Sequence, residues 1–116
     1  MTAYDKGHEL ARILKESDEY KTLCSARREL DTDPDAKTMV KDFLRKQVEM
    51  QIEVMSGKPD AKAKEESLQK LAELLSLNPR ARDYAAAYFR FQRVMTDIYK
   101  IIGDAVGEGL DPFAEK

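Results

Sequence analysis

One histidine, one cysteine and no tryptophan occur in 116 residues, and these scarcities remove most of the chemistry that a chain of this length could carry. The lone Cys24 cannot close an internal disulfide, and the opening MTAYDKGHEL has no apolar signal core, so a reduced, cytoplasmic setting is expected. Crossing a bilayer takes roughly 18 consecutive apolar residues; the longest runs here resemble Tyr84–Phe89, which excludes a membrane span. Glycine (5) and proline (4) are sparse, and alternation at strand period is missing, which excludes a β fold. Neither sign of charge prevails: 20 Lys and Arg face 22 Asp and Glu, interspersed, for a net charge of -2. Without a concentrated positive field, autonomous tight nucleic-acid binding is not expected. There is no Gly-rich phosphate loop, no Ser-His-Asp set, no zinc spacing and no internal repeat.

Charged residues are abundant, 36% of the chain against about 25% in an average protein. The hydrophobic set still reaches 42%, enough for a packed interior, and the length implies one domain over residues 1–116.

Helix punctuation organises the chain into about five helices with short loops, an all-α fold. Thr2 is a candidate N-cap for a first helix that carries Ala3, Leu10 and Leu14 on one stripe and ends near Lys15. Ser17 caps a second, with Asp18 and Glu19 in its first turn and Tyr20, Leu23, Cys24 and Leu30 facing inward, ending between Leu30 and Thr32. Asp33-Pro34 supplies a cap and a first-position proline for a long helix. Ala36, Val40, Phe43, Gln47, Met50 and Val54 form its stripe until Ser56-Gly57-Lys58-Pro59 turns the chain. From about Asp60 to Leu77 a fourth helix centred on Leu68, Leu71, Leu74 and Leu75 completes a long antiparallel hairpin, and Asn78-Pro79 starts the last helix.

That last helix carries the clearest pattern. Ala81, Tyr84, Tyr88, Phe91, Met95, Ile98, Ile102 and Ala105 recur at alternating intervals of 3 and 4 without a miss, a heptad seam that demands a partner helix. Phe89, Val94, Ile101 and Val106 widen the apolar surface beyond what one neighbour of so small a chain covers. A helical-bundle oligomer, dimeric or larger, is therefore expected, with Tyr84, Tyr88, Phe91, Met95, Ile98 and Ile102 at its interface. Gly103, Gly107 and Gly109 are expected to loosen the end, and Asp111-Pro112-Phe113 reads as a short tail.

Constellations with chemical potential are few. Asp5, His8 and Glu9 lie within one turn and could ligate a metal, which would found a metal-dependent enzyme; bundle metal sites, however, draw ligands from several helices, and no other histidine is present. Cys24, on an apolar face with no neighbouring base, reads as a small hydrophobe. Glu65, Glu66 and Glu73 among Lys62, Lys64 and Lys70 read as solvated pairs along one helix. Arg82, Arg90 and Arg93, interleaved with aromatics, are the candidate contact for RNA or a partner, although Arg93 and Asp97 stand four apart and can pair. No catalytic residue, metal or cofactor is expected, and the chain reads as a non-enzyme.

Taken together, the segments YDKGHELARILKESDEY, DPDAKTMVKDFLRKQVEMQIEVMSGK and LNPRARDYAAAYFRFQRVMTDIYKIIGDAVG resemble the YlbF/YmcA family of small bacterial helical proteins, most closely its uncharacterised YheA-like branch. The resemblance spans almost the full chain and rests on the combination of segments. It implies an all-helical protein that forms dimers or larger assemblies. Better-studied members act with a third protein, YaaT, in competence, sporulation and biofilm formation, and are linked to RNA maturation by ribonuclease Y, so partners from the RNA-processing machinery are implied. Some members contribute cysteines to an iron-sulfur cluster; with Cys24 alone, that property is not carried over. The resulting expectation is a self-associating regulatory or interaction module, with an RNA-associated adaptor acting through the Arg-rich last helix as the alternative.

Overall fold

A computed structural model describes residues 2–57 and 61–113. Among these residues it contains five α-helices and no strand: α1 Ala3–Glu16, α2 Asp18–Asp31, α3 Pro34–Ser56, α4 Ala61–Ser76 and α5 Pro79–Leu110. Lys58, Pro59 and Asp60, part of the expected hairpin turn and start of α4, lie outside the described residues.

The helix starts fall where polar side chains satisfy amides that have no partner within the helix. Thr2 Oγ1 accepts from the Asp5 amide at 3.2 Å while the Asp5 carboxylate accepts from the Thr2 amide at 3.2 Å, a reciprocal box that closes the start of α1. Ser17 separates α1 from α2 with a single extended residue (ψ 152°). Its hydroxyl accepts from the Tyr20 amide at 3.2 Å and donates to the Leu14 carbonyl at 2.6 Å, so one side chain both ends α1 and begins α2. Asp33 accepts from the Ala36 amide at 3.2 Å, with Pro34 at the first helical position. Asn78 accepts from the Arg80 and Ala81 amides at 3.1 and 3.2 Å. Caps of this kind contribute about 1 kcal/mol each.

Gly57 ends α3 in the left-handed region at φ 69°, a conformation that glycine alone enters without steric penalty. At the other end of the chain, Gly103, Gly107 and Gly109 do not break α5. The ladder runs on until the Asp111 amide donates to the Gly107 carbonyl at 3.0 Å, because a helical glycine keeps its backbone bonds and costs only about 1 kcal/mol in propensity.

The core is small and lies where four helix ends meet. Leu30 of α2, Ala36 and Val40 of α3, Leu75 of α4, and Ala81 and Ala85 of α5 are buried together, with Phe43, Leu44, Tyr84 and Phe89 packed around them. From that junction two arms depart. One is the α3–α4 hairpin, clasped by an ion pair between Lys64 and Glu53. The other is the α2–α5 pair, with α1 continuing beyond α2 and packing against no other helix. The Cα framework measures 46 × 41 × 15 Å, with a radius of gyration of 18.0 Å, against about 13 Å for a compact domain of this length.

Candidate interaction surface on helix α5

Helix α5 lies antiparallel to α2, and three cross-contacts fix the register. Arg90 approaches Glu19 at 3.9 Å, the Phe91 ring meets Tyr20 with centroids 5.2 Å apart, and Arg80 approaches Glu29 at 3.5 Å. The start of α2 therefore stands opposite Phe91, and the remaining α5 residues run past it.

The expected seam residues are divided by this geometry. Tyr84, Tyr88, Phe89 and Phe91 are half-buried within the chain. Tyr84 and Tyr88 rings lie 6.0 Å apart, Tyr88 and Phe89 meet edge-on at 5.4 Å, and Phe89 meets Phe43 of α3 edge-on at 6.1 Å. Burial pushes the Tyr84 phenol above its ordinary range, opposed by the nearby Arg27 guanidinium. A hydrogen bond with the Cys24 thiol raises Tyr20 in the same direction. Past Phe91 the own-chain cover thins: Met95 and Ile98 are half-buried, whereas Ile101 is 69% exposed, Ile102 51%, Val106 48% and Leu110 75%. Four large aliphatic residues on one end of one helix form a continuous apolar face open to water, the feature that marks interaction sites on soluble proteins. Phe113 beyond it is exposed, its amide donating to Asp111 Oδ1 at 2.9 Å.

The arginines expected to contact RNA or a partner do not share one environment. Arg90 pairs with Glu19, Arg82 lies 3.5 Å from the neighbouring Asp83, and Arg93 forms no ion pair among the described residues. The expected Arg93–Asp97 pair is not formed, consistent with the small net gain of ion pairs in water. Arg80, outside the expected contacts, lines with Arg90 a groove of about 550 Å³ between α2 and α5, floored by Ala26, Ala86 and Ala87. A signal for it was present in the sequence: Glu19 and Glu29 are ten apart, as are Arg80 and Arg90, so antiparallel helices bring both pairs into register.

The other constellations are engaged in local structure. Asp5 caps its own helix, Glu9 pairs with Lys6 at 3.2 Å, and His8 is exposed. Among the described residues no three His, Cys, Asp or Glu side chains are grouped closely enough to hold a metal ion. Cys24 is a free, half-buried thiol. On α4, Lys64 reaches across the hairpin to Glu53, and Glu53 Oε2 is buried without a hydrogen-bond partner among the described residues. No helix among the described residues is long and apolar enough to cross a membrane.

Comparison with known proteins adds four findings. Residues 3–107 match the family described as control of competence regulator ComK, YlbF/YmcA. A UPF0342 protein of Symbiobacterium thermophilum is 42% identical over 112 residues, covering 97% of this chain and 99% of the relative. One of Desulfitobacterium hafniense is 39% identical over 106 residues, covering 91% and 86%. Among solved structures, the crystal structure of Bacillus subtilis RicA in complex with RicF is similar in fold, with a TM-score of 0.55 at 20% identity, covering 93% of this chain and 96% of that one.

Proposed function

The chain belongs to the YlbF/YmcA family, and from that membership we propose that it is a cytoplasmic, non-catalytic regulatory module that works by self-association and by binding other proteins. The observation that carries this reading is the apolar face Ile101–Leu110, which the chain itself leaves largely uncovered. A wide apolar face of this kind suits binding to another protein surface. The solved relative of the same fold was crystallised with another protein, which supports a protein partner; partners among factors of competence or RNA processing follow from the family.

The alternative, an RNA-associated adaptor using Arg82, Arg90 and Arg93, is less well supported because Arg82 and Arg90 each lie within 4 Å of a carboxylate. Charges already balanced in this way release few counterions from a phosphate backbone.

The test is light scattering at micromolar concentration together with affinity purification of the tagged protein from its own host, each compared with Ile102→Asp. Assembly and specific partners that are both lost on this substitution support the reading. A well-folded monomer that captures the same proteins as Ile102→Asp, and no others, contradicts it.

A further inference from the structure

We infer that helix α1 of one copy lies along the free half of α5 of a second copy, reciprocally, so that two chains exchange their N-terminal helices; this rests on the self-association proposed above.

The exposed area calls for a large partner. The chain exposes 9133 Å², whereas a compact monomer of this mass exposes about 6,500 Å². The excess, about 2,600 Å², exceeds what one partner contributes to an ordinary stable interface, about 800 Å². Extra exposure of that size leaves ample area for an extensive contact with a second copy.

Two apolar faces of comparable length are left partly uncovered, with Leu10 and Leu14 of α1 half-buried. Beyond Phe91, α5 extends about 25–30 Å, and α1 with its 14 residues measures about 21 Å at 1.5 Å per residue. Helix α1 buries none of its residues completely. Its stripe of Leu10, Leu14 and Ile13 is flanked by Tyr4, with Tyr4 85% and Ile13 60% exposed. If α2 simply continued, its next turns would cover α5 beyond Phe91. Ser17 prevents this within one chain: its extended backbone, fixed by hydrogen bonds on both sides, sends α1 away so that it packs on α2 alone. The cover that α5 lacks is thus a helix of the kind that the same chain packs on α2 alone. A second copy supplies it twice over by two-fold symmetry, as in exchange of identical elements.

The full-length double variant Cys24→Ser, Ala11→Cys places one thiol on the exposed margin of the α1 stripe; it is labelled there with a thiol-directed benzophenone. Equal amounts of labelled protein and unlabelled ¹⁵N protein are mixed, irradiated and digested. The expected result is mixed-isotope cross-links to peptides within residues 94–110. Cross-links confined to one chain, to the α3–α4 hairpin, or absent altogether in a sample that scatters as a dimer overturn the exchange while leaving self-association intact. A monomer overturns both. In parallel, Leu10→Asp is expected to raise the dimer dissociation constant at least ~30-fold with helical circular dichroism retained; an unchanged constant overturns the inference.

Discussion

The rings of Tyr20 and Phe91 meet with centroids 5.2 Å apart and planes inclined by 53°, and this contact marks the point at which α5 leaves the shelter of α2. Toward the junction, α5 side chains pack within the fold; away from it, Ile101, Ile102, Val106 and Leu110 face water.

Phe91→Ala is therefore expected to weaken folding. Truncating a packed phenylalanine costs about 3–5 kcal/mol in full cores, and half-burial places Phe91 at or below the lower end, about 2–3 kcal/mol. Urea unfolding followed by circular dichroism measures the loss; a change under about 0.5 kcal/mol, the usual size for an exposed site, contradicts the assignment.

Ile102, further along the same seam, is expected to behave in the opposite way. Ile102→Asp sets a charge on a face that water already reaches in the single chain, so the unfolding of isolated protomers changes by no more than about 0.5 kcal/mol. Assembly suffers instead, because closing the interface would bury an unpaired carboxylate. Sedimentation of the variant at concentrations where the parent is associated is expected to show protomers.

Acid is expected to act through Asp31. Hydrogen bonds from Lys37, whose ammonium lies 2.8 Å away, and from Arg27 at 3.1 Å hold its carboxyl below the usual range. A carboxyl lowered by folding adds stability that is complete above its unfolded value, near 3.9, and disappears as pH falls through the lower folded value. The stability difference between the parent and Asp31→Asn should be present at neutral pH and should shrink below about pH 4. Melting curves at pH 7 and near pH 2.5 decide the matter; a difference that grows in acid contradicts it.

Gly57→Ala is expected to destabilise by about 1 kcal/mol, the cost of forcing an L residue into the left-handed region at the end of α3. Among the described residues no atom beyond the flanking backbone lies within 4 Å of an added Cβ, so the penalty is conformational and no repacking can relieve it. Gly57→Asn, which tolerates that region better, should recover part of the loss in thermal unfolding.

Much of the architecture was legible because its determinants are local. Thr2, Ser17, Asp33, Gly57 and Asn78 each act on amides or dihedrals a few residues away, so their side chains announce the helix ends where the structure has them. The seam of α5 was legible as a demand for a neighbour, but periodicity records only that a stripe is apolar, not what covers it. Spacing therefore grouped Tyr84, Tyr88 and Phe91 with Ile98 and Ile102, although within the chain Phe91 packs on Tyr20, and Tyr84 and Tyr88 on each other beside Phe89. The same blindness to distant partners hid the contact of Lys64 with Glu53, eleven residues earlier.

The 15 Å depth of the Cα framework leaves little room for evolutionary drift. In a body about two helix layers deep, almost every side chain sits within reach of an outer skin on one side or the other. Few positions can change without altering what some neighbour feels. Recognition in such a protein is written by many ordinary substitutions spread over two broad flanks, and sister proteins sharing this backbone can diverge in whom they bind while keeping every helix in place.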